Sequence, residues 1–339
     1  MIARRRLLAV SLIPAGLARA QAQGQGQGQN QGQTPAAPDS WPNRPVRILL
    51  AYPPGGSTDV LARTLAERLA AMIGGPGFVV ENRPGGAAVV GTQAAAVAAP
   101  DGYTLSLGNN QTHAANAAMV QGLPYRPVED FAPIGRLAEV HHALVVPASS
   151  PARSLAALAA RGREGGRLTY ASSGVGSASH VIAESFVRRE GLQATHVPYR
   201  GGAQAVTDTV AGTVDFFVST WPQVVTLVKD GRLRCLGLGA PQRLAELPEV
   251  PSFAEAGAPY MAVDAWFGLW APAQTPRPII DRLSKALPRI LAEPETTARL
   301  ANLGFLPAPL PAAEFAAFQR AEVERWRGLV ELTGIRLEG

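Results

Sequence analysis

Apolar and polar positions along the chain follow two periodicities. Short apolar or alternating runs read as strands at Val46 to Ala51, Phe78 to Glu81, Tyr103 to Leu107, Ala143 to Val146, Leu168 to Ala171, Ala194 to Val197, Val214 to Ser219 and Leu233 to Leu238. Between several of them the spacing turns helical. From Thr58 onward Val60, Leu61, Leu65, Leu69 and Met72 share one face, and His180 to Arg189 and Ala203 to Ala211 behave likewise. The last seventy or so residues are mainly helical, over Pro278 to Ala292 and Ala312 to Leu332. Strand–helix alternation predicts an α/β fold with mainly parallel sheets and right-handed crossovers. No repeat of about 20–50 residues is visible.

The N-terminal region breaks this pattern. Arg4, Arg5 and Arg6, the apolar run Leu7 to Leu17 and Ala18-Arg19-Ala20 read as an export signal over 1–20. The run is short of the roughly 20 apolar residues that cross a membrane. The arginine cluster also partly resembles a twin-arginine signal, so both export routes stay open. Residues 21–40 form a Gln/Gly tract ending in Thr34-Pro-Ala-Ala-Pro38, a composition that buries no face and reads as a flexible linker. The folded part is expected to begin near Trp41.

Composition narrows the class. A chain of 339 residues suits two domains at roughly 100–200 residues each. With 47% hydrophobic and 17% charged residues it has the material for real cores. The formal charge of +5 belongs largely to the leader: residues 1–20 hold four arginines and no acid, so without them it falls to +1. The apparent basicity therefore implies no nucleic-acid partner, and 6% aromatics leave little for base stacking. Cys235 is the only cysteine, which excludes an internal disulfide and, lying in an apolar run, reads as a core residue. Beyond the leader no stretch reaches membrane-spanning length, and the mature protein is expected to be soluble.

Three strand-to-helix junctions carry the candidate chemistry. Tyr52-Pro-Pro-Gly-Gly-Ser-Thr-Asp59 joins stiffening prolines to glycines that let a ligand approach the backbone, with Ser57, Thr58 or Asp59 placed to cap a helix. Ser172-Ser-Gly-Val-Gly-Ser-Ala-Ser-His180 and Pro198-Tyr-Arg-Gly-Gly202 repeat the scheme. Free amides at a helix N-terminus, aided by its dipole, suit an anion. Each junction alone is more often a plain cap, but three in one α/β chain fit ligand capture at the carboxyl ends of strands. None is a phosphate loop or a complete G-x-G-x-x-G fingerprint. His113, His141, His142, His180 and His196 fit no zinc spacing, so neither metal nor cofactor is expected. His141 and His142 should face opposite sides of a strand, leaving one solvated. His180 suits either an anion contact or a capping role. A hydrolase built on Ser173, a histidine and Asp215 lacks the G-x-S-x-G elbow.

Read together, these motifs resemble a family. WPNRPVRILLAYPPGGSTDVLAR (41–63), VVENRPGGAAVVGT (79–92), APDGYTLSLGN (99–109), LPYRPVEDFAPI (123–134), HVPYRGG (196–202), AGTVDFF (211–217) and LPEVPSFAEAG (247–257) are similar, in order and spacing, to the extracytoplasmic solute receptors of tripartite tricarboxylate transporters, the Bug proteins. The resemblance covers 41 to about 330. It implies an α/β periplasmic-binding-protein fold of type II-like, Venus-flytrap form, with two lobes and a hinge crossed twice. Lobe 1 would be 41–145 with a return over 263–339, and lobe 2 would be 146–262. It further implies a small carboxylate between the lobes, membrane transporter subunits as partners, no catalysis, a periplasmic location and a monomer. A sensory receptor feeding a signalling ectodomain is the alternative role.

Residue by residue, the family's first-lobe loop falls on Pro54, Gly55, Gly56, Ser57 and Asp59, and its second-lobe loop on Ser172, Ser173, Gly174 and Ser177. Its V-P-Y motif falls on Val197, Pro198 and Tyr199, and the strand end after Asp215 on Ser219 and Thr220. Tyr52, Asn109 and His180 complete the candidate ligand-binding set. Two departures stand out: Gln204 where proline is common, beside the cleft, and Ala117 after Asn116 where Asn-Pro is usual. The first-lobe loop holds no Arg or Lys, which fits capture by amides rather than by a salt bridge.

Overall fold

In a computed structural model that describes residues 41–245 and 247–337, the apolar runs pair into two sheets. The expected export signal (1–20) and linker (21–40) lie outside the described residues. The strands are β1 Val46–Leu50, β2 Phe78–Asn82, β3 Thr104–Asn109, β4 Phe131–Val140, β5 His142–Pro147, β6 Leu168–Ser172, β7 Ala194–Pro198, β8 Phe216–Thr220, β9 Leu233–Leu238, β10 Ala265–Pro272 and β11 Leu306–Pro311. One sheet runs β11-β4-β10-β3-β1-β2 and the other β7-β6-β8-β5-β9. The helices are α1 Ser57–Ile73, α2 Val89–Ala96, α3 Asn116–Met119, α4 Leu155–Arg163, α5 Ala178–Glu190, α6 Gly202–Val210, α7 Trp221–Lys229, α8 Arg277–Ala292, α9 Pro294–Asn302 and α10 Ala312–Thr333. A π-helical turn, Gln111–Ala115, leads into α3.

The sheets are mixed, not mainly parallel. β1 pairs in parallel with β2 and β3, and β6 with β7 and β8, as βαβ crossovers require. β10 runs antiparallel to β3 and β4, β11 to β4, and β5 to β8 and β9. The cause is the passage between sheets. β4 leads directly into β5, and the chain returns from β9 into β10, so the entering strands run against their new neighbours. The expected division at 145/146 falls inside β5, whose pairing with β8 and β9 already begins at His142–Ala143.

At the two passages the segments are tied together. His141 Nδ1 lies 2.9 Å from Asp264 Oδ1, and His142 Nδ1 lies 2.7 Å from the Val263 carbonyl. Both histidines are buried, which corrects the expectation that one is solvated: His141 precedes β5 and turns to the second passage instead of facing water. Cys235 is a buried core residue whose thiol burial pushes up to about 12.

The sheets' cores follow from sequence. α8 lays Ile279, Ile280, Leu283, Leu287 and Ile290 onto the first sheet. α10 caps the polar ends of two core tryptophans: Trp266 Nε1 donates to Glu322 at 2.7 Å and Trp270 Nε1 to Gln319 at 3.0 Å. Its Trp326 and Val330 join Trp270 of β10 and Phe186 of α5 in one apolar cluster, so α10 packs against both the first sheet and the helix α5 that follows β6. Among the described residues no helix is long and apolar enough to cross a membrane.

Candidate functional site

The carboxyl ends of β1, β2, β3, β6, β7 and β8 open on one cleft of about 830 Å³. Between β1 and α1, Pro53 and Pro54 stiffen the chain and Gly55 takes a φ of 85°, which suits glycine. Gly56 has ordinary extended geometry, φ −80° and ψ 170°. The amides of Gly56, Ser57 and Thr58 have no acceptor among the described residues, as expected at a helix start. Gly56 and Ser57 line the cleft.

Asp59 does something else. It is 3% exposed, and its carboxylate accepts from the Gly55 amide at 3.0 Å, from Arg63 Nε and Nη2 at 2.9 Å each, and from Asn82 Nδ2 at 2.9 Å. Burial alone would raise its carboxyl pKa, but hydrogen bonds from Arg63, the Gly55 amide and Asn82 outweigh it and hold the group below the usual carboxylate range. Asp59 therefore fixes the loop from behind. Neither it nor Pro54 nor Gly55 lines the cleft, against expectation. Asp59→Asn keeps the shape and loses the charge-assisted bonds, worth roughly 1.5–3 kcal/mol each and less where Arg63 meets solvent. Thermal denaturation should show a lower melting temperature, while calorimetry should find ligand affinity changed less than tenfold. An unchanged melting temperature would remove Asp59 from the loop's support.

The end of β3 adds a polar corner to the cleft. Tyr52 Oη donates to Asn109 Oδ1 at 2.8 Å, and the Gln111 amide donates to the same oxygen at 3.0 Å. Burial raises the Tyr52 phenol well above its ordinary range, so it stays a neutral donor.

In the second lobe the loop from Ser172 to Ser179 is internally bonded. The Ser173 amide donates to Ser179 Oγ at 2.9 Å and the Gly174 amide to Ser172 Oγ at 3.2 Å. These amides were natural candidates for anion contact, yet they already have acceptors. Among the described residues the amides of Val175, Ala178 and Ser179 have no acceptor, the last two at the start of α5 after the Ser177 cap, whose Oγ accepts from the His180 amide. Ser172 is fully buried, with its Oγ 2.6 Å from His196 Nε2. His180 stacks on His196 at 3.8 Å between ring centroids, and its Nδ1 accepts from the Gly176 amide at 3.1 Å. Burial, helped by His196, pushes His180 down to about 4. Ser172 and His180 thus buttress the loop and do not line the cleft, whereas Ser173, Gly174 and Ser177 do. The hydrolase constellation fails on geometry: Ser173 Oγ meets Ser179 Oγ, while Asp215 accepts from the Thr169 amide and pairs with Arg161.

Tyr199, Ser219 and Thr220 line the remaining wall with Tyr52 and Asn109 opposite. Tyr199 Oη donates to Asp208 at 2.8 Å, so its ring rather than its hydroxyl is available. Several lining residues escaped sequence reasoning. The Gly85–Ala88 turn after β2 repeats the Gly-Gly signal of Gly55-Gly56 and was findable on that ground. Asn110, Gln111 and Gln223 are uncharged polar positions that no motif marks, and Leu337 reaches the cleft by tertiary contact alone. Buried Asn110 Nδ2, Thr220 Oγ1 and Gln223 Oε1 have no partner among the described residues.

The electrostatics follow from these placements. The N-terminal ends of α1, α2, α5, α6 and α7 all contribute lining residues, so five helix dipoles present their positive ends. Arg200 is the one Arg or Lys lining the cleft, and no Asp or Glu lines it, among the described residues. His142 is kept neutral by burial, against the opposing hydrogen bond to Val263. Such a site stabilises an anion with dipoles and amides, aided by a single cation.

Residues 61–335 match the sequence model of the tripartite tricarboxylate transporter family receptor. The chain is 34% identical over 306 residues to protein BugT of Bordetella pertussis, covering 90% of this chain and 94% of that protein. The solved structure of Rpa4515 from R. palustris with adipate superposes with a TM-score of 0.82 at 32% identity, covering 88% of this chain and 100% of the other. MatC from Rhodopseudomonas palustris with bound malate gives 0.78 at 32% identity, with 86% and 100% covered.

Proposed function

This chain belongs to the tripartite tricarboxylate transporter family receptors, periplasmic solute-binding proteins of two-lobed α/β fold, and on that premise we propose that its cleft captures a small dicarboxylate between the two sheets. The family's general roles carry over: a small carboxylate ligand, and membrane transporter components as partners. The observation that carries the finer reading is the convergence of five helix N-termini on a cleft with one cationic and no acidic side chain. The adipate and malate found with the two solved relatives make linear C4–C6 diacids the first candidates.

Amides of Gly56, Ser57 and Thr58 from one lobe and of Ala178 and Ser179 from the other clasp the carboxylate in this reading. Hydrogen bonds to a charged group contribute roughly 1.5–3 kcal/mol each. Three or four, offset by desolvation and lobe closure, reach about −8 kcal/mol, a micromolar dissociation constant. A thermal-shift screen of malate, adipate, citrate, glutamate and benzoate tests this. A ligand at a hundred times its dissociation constant stabilises the protein by about 2.7 kcal/mol, a clear rise in melting temperature. If no acid in the panel raises it, the proposal fails.

The leader bears on location. We place cleavage so that the mature chain starts near Gln21 or Gln23, after the Ala18-Arg19-Ala20 site. N-terminal sequencing of periplasmic material should read from one of these glutamines. A chain still beginning at Met1 refutes the cleavage.

A further inference from the structure

The turn between β2 and α2 holds unusual backbone. Gly85, Gly86, Ala87 and Ala88 all have positive φ, at 144°, 50°, 52° and 68°. Ala87 and Ala88 are the only non-glycine residues with positive φ among the described residues. In that region an L-residue's Cβ crowds the following carbonyl, so such a conformation persists only where its surroundings enforce it.

The enforcing contacts are on the turn's carbonyls. Ala88 O accepts from Thr92 Oγ1 at 2.7 Å, the local bond of a helical threonine. Ala87 O accepts from Asn116 Nδ2 at 3.0 Å and from Gln111 Nε2 at 3.5 Å, across 29 and 24 residues of chain. Asn116 is fully buried, and its Nδ2 also lies 3.3 Å from Tyr125 Oη, which itself donates to the Thr112 carbonyl. Turning the Asn116 amide over would set its oxygen against the Ala87 carbonyl, so the amide's orientation is fixed by the turn it holds. Its Oδ1 is left without a partner.

With the carbonyls engaged, the amides of Gly86, Ala87 and Ala88 have no acceptor among the described residues, and the turn lines the cleft. A second observation points to a ligand on this wall. Asn110, 2% exposed and next to the Gln111 that reaches Ala87, also lines the cleft and has an unpartnered buried Nδ2 donor. We propose that the Gly85–Ala88 turn, with Asn110, is a second acceptor-binding element of the first lobe, donating to an oxygen of the bound acid, and that Asn116 is the positioning residue that holds the turn left-handed. This rests on the carboxylate-binding reading above.

A double-mutant cycle separates positioning from general support. Glycine takes positive φ without strain, so Ala87→Gly lessens the need for the Asn116 contact. Affinity is measured by calorimetry with the tightest binder among malate, adipate, citrate, glutamate and benzoate. Asn116→Ala should weaken binding tenfold or more in the wild-type background and less than threefold in the Ala87→Gly background. Equal losses in both backgrounds, or no loss in either, overturn the proposal. If Asn116→Ala does not fold, Gly86→Ala carries the test, since a Cβ there meets no atom closer than 3.8 Å yet adds a third strained residue. At least a threefold loss is then expected, and unchanged affinity overturns the proposal. A wild-type protein that binds none of the five acids instead defeats the carboxylate reading itself, and the proposal falls with it.

Discussion

Gly56→Val should abolish carboxylate binding, by a hundredfold or more, with the melting temperature of the unliganded protein lowered only by the modest cost of a valine at the α1 N-cap. The backbone at Gly56, φ −80° and ψ 170°, is extended geometry that a β-branched residue adopts readily. A Cβ built there meets only the Pro53 carbonyl, at 4.0 Å. The new side chain therefore strains nothing, and it occupies the cleft in front of the Gly56, Ser57 and Thr58 amides. Losing two charge-assisted hydrogen bonds costs roughly 3–6 kcal/mol, and about 1.4 kcal/mol corresponds to tenfold. Gly55→Val is the control of opposite character. At φ 85° it forces a side chain into the left-handed region, away from the cleft, and should lower the melting temperature. Calorimetry and thermal denaturation on both variants distinguish obstruction from strain. Wild-type affinity in Gly56→Val would place the ligand elsewhere.

That contrast also marks how far sequence reasoning reaches. Proline and glycine punctuation at 53–56 locates a ligand loop, because few residues tolerate such a turn. It does not say which glycine takes positive φ, since either satisfies the local chemistry. The role of Asp59 was hidden for a related reason. Its partner Asn82 lies 23 residues away, on a strand that only the folded sheet brings alongside α1.

The strands divide in the same way. Eight apolar runs are legible because each carries its own pattern. β10 is not: all eight of its residues are buried, and its continuous apolar run alone does not separate a buried strand from a buried helix segment. β4 is broken by Pro133 and Gly135 and by register shifts against both neighbours. β11, Leu-Pro-Ala-Pro-Leu-Pro, carries three prolines that only an edge position tolerates. The antiparallel pairing of β10 and β11 was lost with these strands. Leu337 shows the limit: its backbone bonds to Met119 and Gln121 set it against the cleft, and nothing in the tail's own sequence announces that.

Mild acid should destabilise this protein before its carboxylates titrate. His113 is fully buried, stacked on Trp270 at 3.6 Å and edge-on to Phe131, with no partner for Nε2. Burial pushes it from 6.5 down to about 3, and burial with His196 pushes His180 from 6.5 to about 4. A histidine with a depressed folded pKa binds its proton more tightly when unfolded. Its stabilising contribution is complete above the unfolded value of 6.5 and is lost as pH falls from there toward the folded value. At pH 5 each of the two has lost about 2 kcal/mol relative to pH 7.5, or about 4 kcal/mol together. His142 and His196, lowered chiefly by burial, act in the same direction. Asp59 and Asp130, both held below their ordinary range, lose their contributions only below about pH 4, outside this window. Glu139, raised by burial, has the opposite sign and trims the loss slightly. Urea denaturation at pH 7.5 and pH 5.0 should therefore show a fall of at least about 4 kcal/mol. His113→Phe keeps the aromatic stack, and Thr112 Oγ1 retains its bonds to the Asn109 backbone. This variant should reduce the fall by about 2 kcal/mol. Equal stability at the two pH values would mean that the buried histidines already reach water in the folded protein.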